Sequence, residues 1–263
     1  MSTSAFKLDP TVFNATLYKQ LTDLWLGDMD LSGQHMNPAA MKRWFSSDSE
    51  LDAACADQFA HALEAIGPEH LPAPTAQPFI DEIARIAQDC PANGSAQAAW
   101  VALSLALLLD QMPRNIHRDH DGLRKVYTHY DPMALHLSRT LLSSNPPIPR
   151  VDLHPQWRHS LAHRMWLYMP LMHSEDIESH TLLRGILDEA GQELSSLQHL
   201  DASQMILQGQ LKAEKEHRDI LDEFGRYPHR NMALGRPSTE AEKKFLSAGG
   251  ATFGVAQPDR DEL

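Results

Sequence analysis

Cysteine is almost missing from this chain. Of 263 residues only Cys55 and Cys90 are thiols, in no CxxC spacing, so neither a disulfide framework nor a thiolate zinc site is indicated. Long apolar runs are missing as well: the longest, around residues 98–109, is too short to cross a bilayer. The opening MSTSAFKLDPTVF lacks the basic start and apolar stretch of a signal peptide. The closing Arg260-Asp261-Glu262-Leu263 resembles an endoplasmic-reticulum retention tail, but without an entry signal it has nothing to act on. No Lys/Arg-rich run interrupts a net charge of −12, which opposes binding to nucleic acid or anionic membranes. Neither a phosphate-cradling Gly-rich loop nor a dinucleotide fingerprint occurs. The expectation is a cytoplasmic protein with no nucleic-acid or membrane partner.

What is present is a core. Apolar residues make up 42% of the chain and charged residues 22%, an ordinary soluble balance. Helical periodicity dominates and strand alternation is scarce. The spacing predicts helices over 10–26, from Asp48 or Ser49 to Ile66, over 79–89, from Ser95 onward, over 122–143, 155–168, 174–187 and 201–224, and a short one after Thr239. Residues 28–38 read as a loop, and Asn93-Gly94 as a turn. The fold class is therefore all-α, with nine or ten helices packed as antiparallel hairpins and no regular repeat. A single domain over 1–263 is expected, with the proline-rich connectors 67–78 and 145–150 marking where it would subdivide.

From Val101 to Leu109 the central helix is apolar almost all round, which implies burial on every side. It then delivers Asp110, and Pro113 is expected to kink or end it. A carboxylate after nine apolar residues needs a partner, and Arg114 or an arginine from the late part of the chain is the obvious candidate. Ser174 is expected to cap the next helix, with Glu175 and Asp176 in its first turn, where the helix dipole favours negative charge. On the long helix 201–224, His217 falls on the buried stripe. Gly225 is a left-handed stop, and Thr239-x-x-Glu242 makes a capping box.

The densest polar stretch follows Gly225. Arg226, His229, Arg230 and Arg236 fall within eleven residues, punctuated by Gly225, Pro228 and Gly235. Glycine and proline fix a backbone path, which is what a loop-borne site requires.

Three ordered motifs carry a resemblance: Leu109-Asp110-Gln111-Met112-Pro113-Arg114-Asn115; Tyr168 through Asp176; and Phe224-Gly225-Arg226-Tyr227-Pro228-His229-Arg230-Asn231. Leu234-Gly235-Arg236, Ser238-Thr239, Glu242 and Phe245-Leu246 continue it, and Trp44-Phe45 to Phe59 is similar to its amino-terminal block. Together they resemble the domain-of-unknown-function 924 family. The resemblance implies a tetratricopeptide-like fold of helical hairpins and brings no reaction. Two positions depart from the family text: His180 stands where Gln is usual, and His117 where an aromatic precedes a Gly-containing turn.

The site residues admit two readings. In one, Arg114, Asn115, Arg226, Arg230, Asn231 and Arg236 bind a small polar or anionic molecule, since guanidinium forks hold carboxylate and phosphate in bidentate fashion. Asp110, His173, Glu175, His217 and His229 then supply acid–base chemistry near neutral pH. In the other, the same charges are structural pairs, and the protein is a helical adaptor for a protein partner. Their clustering at helix ends favours the small-molecule reading. Glu214-x-x-His217 has the spacing of a helical metal ligand pair, but no second such motif exists, so neither cofactor nor metal is expected.

Overall fold

The computed structural model describes residues 6–46, 48–89, 95–146 and 148–255, and among them there are helices and no strand. The α-helical segments are α1 (Ala15–Trp25), α2 (Pro38–Phe45), α3 (Ser49–Ala65), α4 (Gln77–Asp89), α5 (Ala96–Ala106), α6 (Met112–Ile116), α7 (His120–Lys125), α8 (Asp131–Leu141), α9 (Leu161–Met172), α10 (Ile177–Ser195), α11 (Asp201–Phe224) and α12 (Glu240–Ser247). A π turn, Leu107–Gln111, joins α5 to α6, and a second, Val126–Tyr130, joins α7 to α8. Counting each joined pair as one rod gives ten. Cys90, the Asn93-Gly94 turn and the tail at 260–263 lie outside the described residues.

Most boundaries follow side-chain chemistry. Asp48, Asp119 and Asp176 accept backbone N–H groups at helix starts, and Thr239 and Glu242 form the complete capping box. Gly225 stops α11 at φ +69°. The first helix starts later than periodicity suggests. The Asn14 carboxamide accepts from the amides of Thr16 and Leu17, so Pro10 lies outside the helix. The helix α2 is one that periodicity does not show, yet Asn37-Pro38 is an N-cap followed by a first-turn proline.

Two corrections concern the site. Pro113 neither ends nor breaks its helix. Just before it, the Met112 amide bonds to Leu107 O, an i→i−5 bond, and the widened turn lets the rod continue to Ile116. Pro132 follows the second π turn in the same register, after Asp131 bonds to Val126 O. Proline removes an i→i−4 donor and crowds that carbonyl, and a π turn accommodates both. Likewise α9 starts at Leu161 and carries Pro170 within its last turns rather than ending before it.

The two central rods are α5 and α9. The first packs on α1, α4 and α9, the second on α8, α10 and α11. Leu103, Leu105 and Leu107 to Leu109 are fully buried, and every residue of α9 is buried. One hydrophobic cluster runs from Phe13 to Leu207, across both proline connectors. A smaller one, of Ile220, Leu221 and Tyr227 with Phe224 and Phe245, seats the C-terminal part on the α11 end. Cys55 is buried inside the main cluster, which pushes its thiol up to about 12.

The loop before α2 is held by a close backbone approach. Gly33, at φ +78°, accepts from the Ser203 amide at 3.2 Å, while the Ser203 hydroxyl donates to His159 O at 2.6 Å. A Cβ at Gly33 would lie 2.2 Å from His159 O and 2.5 Å from Ser203 Oγ. Gly33→Ala is expected to lower unfolding free energy by about 3 kcal/mol, from left-handed strain plus overpacking, as measured by chemical denaturation.

Candidate functional site

Both π turns open onto one place. The first carries Asp110 and Gln111 and leads to Arg114; the second carries Tyr127 and leads to Asp131. The end of α9 adds His173, and the turn at Pro228–Arg230 adds Arg230. π turns recur at functional sites because the extra residue re-aims side chains that an α-helix would turn elsewhere.

At the centre is a carboxylate–imidazole pair. Asp110 is 1% exposed, and its Oδ1 lies 2.8 Å from His173 Nδ1, while Gln111 Nε2 donates to its Oδ2 at 2.5 Å. Arg114 Nε also approaches His173 Nδ1, at 3.2 Å. One nitrogen cannot donate to Asp110 and accept from Arg114 at once. We place the proton on Nδ1, since the shorter contact then satisfies the buried carboxylate. Burial pushes Asp110 up, but His173, Arg114 and Gln111 outweigh it and hold the carboxyl below its usual range. Burial and Arg114 push His173 down against the pull of Asp110, so the imidazole is neutral at pH 7. Its Nε2 takes no hydrogen bond from the described residues, and its side chain is 16% exposed.

Asp131 lies between two guanidinium groups. Arg114 Nη2 is 2.9 Å from its Oδ1 and Arg230 Nη1 is 3.5 Å from its Oδ2, yet neither contact has hydrogen-bond geometry. Arg230 donates to His173 O at 2.7 Å and sits over Tyr127 and Tyr227, with ring centroids at 4.5 and 4.9 Å. Arg114 Nη2, Arg230 Nε and both Asp131 oxygens are buried without a hydrogen bond.

The other expected residues divide. Glu175 lies outside α10, because Asp176 rather than Ser174 caps that helix; Ser174 Oγ instead accepts from the Asp176 amide at 3.1 Å. Glu175 takes both Nη groups of Arg236, at 2.7 and 2.9 Å, and the Tyr227 amide at 2.8 Å. Burial raises its pKa, but these donors bring it below the usual value. Arg236 Nε donates to Asn231 Oδ1 at 3.0 Å, and Asn231 Nδ2 donates to Ser238 at 3.1 Å. Arg226 stands apart, donating to both oxygens of Glu242 and to Pro237 O. Asn115 turns back onto its own helix, donating to Gln111 O at 2.9 Å.

His217 and His229 form an aromatic layer beside the pair rather than part of it. His217 Nδ1 lies 2.8 Å from Ala213 O and its ring stacks on Phe253 at 3.8 Å, while His229 stacks on Tyr227 at 5.6 Å. Behind Tyr227, His180 Nε2 meets the tyrosine hydroxyl at 3.0 Å and its Nδ1 faces Glu214 at 3.6 Å. Glu214 and His217 thus point to different neighbours. Among the described residues, no group of three or more His, Cys, Asp or Glu is placed to hold a metal.

Sequence reading did not single out Asp131, Tyr127, Tyr227 or Phe253. Asp131-Pro132 repeats the Met112-Pro113 pattern inside a helical stretch, and that repeat was the available signal for Asp131. Nothing local marks Phe253.

A family model described as a bacterial protein of unknown function, DUF924, matches residues 21–250. Among solved structures, a protein of unknown function from Agrobacterium tumefaciens is similar. It is 25% identical, with a TM-score of 0.56, over 89% of this chain and 99% of that one. No curated protein matches.

The buried imidazoles set an acid limit on stability. Burial above all holds His163 to about 4, His217 to about 3 and His229 to about 2, each below the unfolded histidine value. Below about pH 6.5 the unfolded chain binds protons that the folded chain refuses. Stability is therefore full above that pH and is lost on acidification. The slope is expected to approach about 1.4 kcal/mol per pH unit for each histidine about one unit below that pH, measured by denaturation between pH 7 and 5. His217→Gln should flatten it.

Proposed function

This chain belongs to the DUF924 family of bacterial proteins of unknown function, and we propose that it binds a small polar molecule beside His173 and performs acid–base chemistry on it. The observation that carries this reading is the Asp110–His173 pair. A buried carboxylate fixes one imidazole nitrogen and leaves the other, neutral and partly exposed, to take a proton. Arg114 and Asp131 face each other as a 2.9 Å ion pair and Arg230 Nε beside them has no hydrogen bond, a polar lining that suits a ligand bearing both donors and acceptors. The cluster balances two arginines against two carboxylates, so a polar ligand fits better than a highly charged anion. Glu175–Arg236 is a bidentate pair that holds the Tyr227 segment beside the cluster. His217, His229 and Phe253 form the aromatic side of the site.

The setting we assign is cytoplasmic, with tetratricopeptide-like hairpins, no resident cofactor, and no nucleic-acid or membrane partner. No helix among the described residues is long and apolar enough to cross a membrane. One observation favours the adaptor reading. An open groove of about 960 Å³ runs between α10 and α11 past Leu187, Leu194, Leu207 and Met205, and Met205 is 65% exposed.

The test pairs stability with binding. Glu175→Ala strands Arg236 and should cost about 3 kcal/mol of unfolding free energy, whereas His173→Gln should cost less than about 1 kcal/mol. In a thermal-shift screen of polar metabolites, a ligand of this site raises Tm of the unchanged protein and not of His173→Gln or Arg230→Gln. Hits that act equally on all three proteins would remove the cluster as the binding site.

A further inference from the structure

A second polar cavity lies at the other end of α9. Arg164 is nine residues before His173, about 13 Å along the helix axis at 1.5 Å per residue. The cavity, about 200 Å³, is lined by Arg150, Arg158, Arg164, Ile186, Glu189 and Glu193, among others. That is smaller than sites for drug-sized ligands. At about 30 Å³ per water it admits a molecule of a handful of non-hydrogen atoms.

Its charges are unequally answered. Arg150 donates to both oxygens of Asp152, at 2.7 Å each, and Asp152 is fully buried. Arg158 donates to Glu193. Arg164, 2% exposed, has no carboxylate within hydrogen-bond reach; Glu193 Oε2 is nearest at 3.9 Å. Its Nε donates to the Tyr168 hydroxyl at 3.0 Å and its Nη1 to Arg158 O at 2.7 Å. Tyr168 in turn donates to Asp152 at 2.9 Å. A guanidinium carries five N–H groups, and the others of Arg164 take no protein hydrogen bond among the described residues. The chain Arg150–Asp152–Tyr168–Arg164 therefore holds a buried guanidinium rigidly against a cavity, with part of its fork uncommitted. The structural alternative is that Asp152 and Glu193 stabilise Arg164 through space, and they do raise its pKa. Through-space attraction answers the charge but not the remaining N–H groups, which lie on the cavity lining and are left to whatever fills it.

We propose that this cavity binds a small molecule through a carboxylate or phosphate group, held by Arg164 and Arg150. A guanidinium fork matches either oxyanion, and Ile186 with Leu153 gives the remainder an apolar wall. Glu189 is exposed on the same lining and opposes the bound charge.

The test is calorimetric titration with inorganic phosphate and, separately, acetate, at constant ionic strength set by chloride. Saturable binding of either is expected, and the preferred anion identifies the group. Arg150→Gln should weaken binding about tenfold, the loss of one charged hydrogen bond. Glu189→Gln, an exposed change that leaves the fold intact, should tighten it several-fold. His173→Gln should leave it unchanged. Should Arg150→Gln fail to fold because Asp152 loses its partner, Glu189→Gln decides alone. No saturable binding of either anion, or an affinity indifferent to Glu189→Gln, overturns the assignment.

Discussion

An ionised carboxylate in the interior must be surrounded by donors, and Asp110 imposes that requirement on the groups around it. It lies at the end of a helix buried on every side, so water cannot solvate it. Gln111 and His173 meet it with hydrogen bonds, and Arg114 stands 3.6 Å away. Arg114 brings in Asp131, and Asp131 brings in Arg230. Arg230 ties the chain segment after α11 to the end of α9 through His173 O. The polar centre and the docking of the C-terminal segment are thus one network.

The sequence carried the architecture well, because long helices declare themselves through several turns of periodicity. The capped ends of α3 and α12 and the glycine stop of α11 followed from short-range chemistry. What it hid was two-body information. Glu175 looks like a helix-dipole residue until Arg236, 61 positions later, is seen to grip it. Asp176 takes the cap that Ser174 was expected to supply, because its carboxylate accepts from Glu178 N while also facing Arg139. The motif around Arg226, Arg230 and Arg236 read as one cationic patch. In space Arg226 and Arg236 each have their own carboxylate, while Arg230 shares Asp131 with Arg114 and alone of the three reaches the polar centre. Local text shows that charges are dense, not which of them remain available.

The histidines illustrate the same limit. His173, His217 and His229 are all acid–base candidates by residue type, the first and last from motifs and His217 from the buried stripe of the long helix. Their neighbours separate them. His173 has a carboxylate on one nitrogen and no hydrogen bond from the described residues at the other. His217 and His229 are packed among Tyr227 and Phe253, where charging the ring is strongly disfavoured. A histidine held far below neutral is uncharged at working pH, and those two pack as polar aromatic rings.

The paired π turns have a consequence for how this chain tolerates changes in length. Each holds one more residue than an α-helical turn would, and each lies just before residues of the polar centre. An α-helix turns 100° per residue at 3.6 residues per turn. Excising a single residue from Leu107–Gln111 would let the rod close into regular α-helix. Because the extra residue is absorbed within one turn, that excision would leave Arg114 on nearly the face it now holds, whereas the same cut beside Leu103 or Leu105 in α5 would turn everything beyond it by about 100°. The residue count is therefore a fixed dimension along the α-helical part of each rod, and the π turn is the place where a single residue can be lost at the least angular cost.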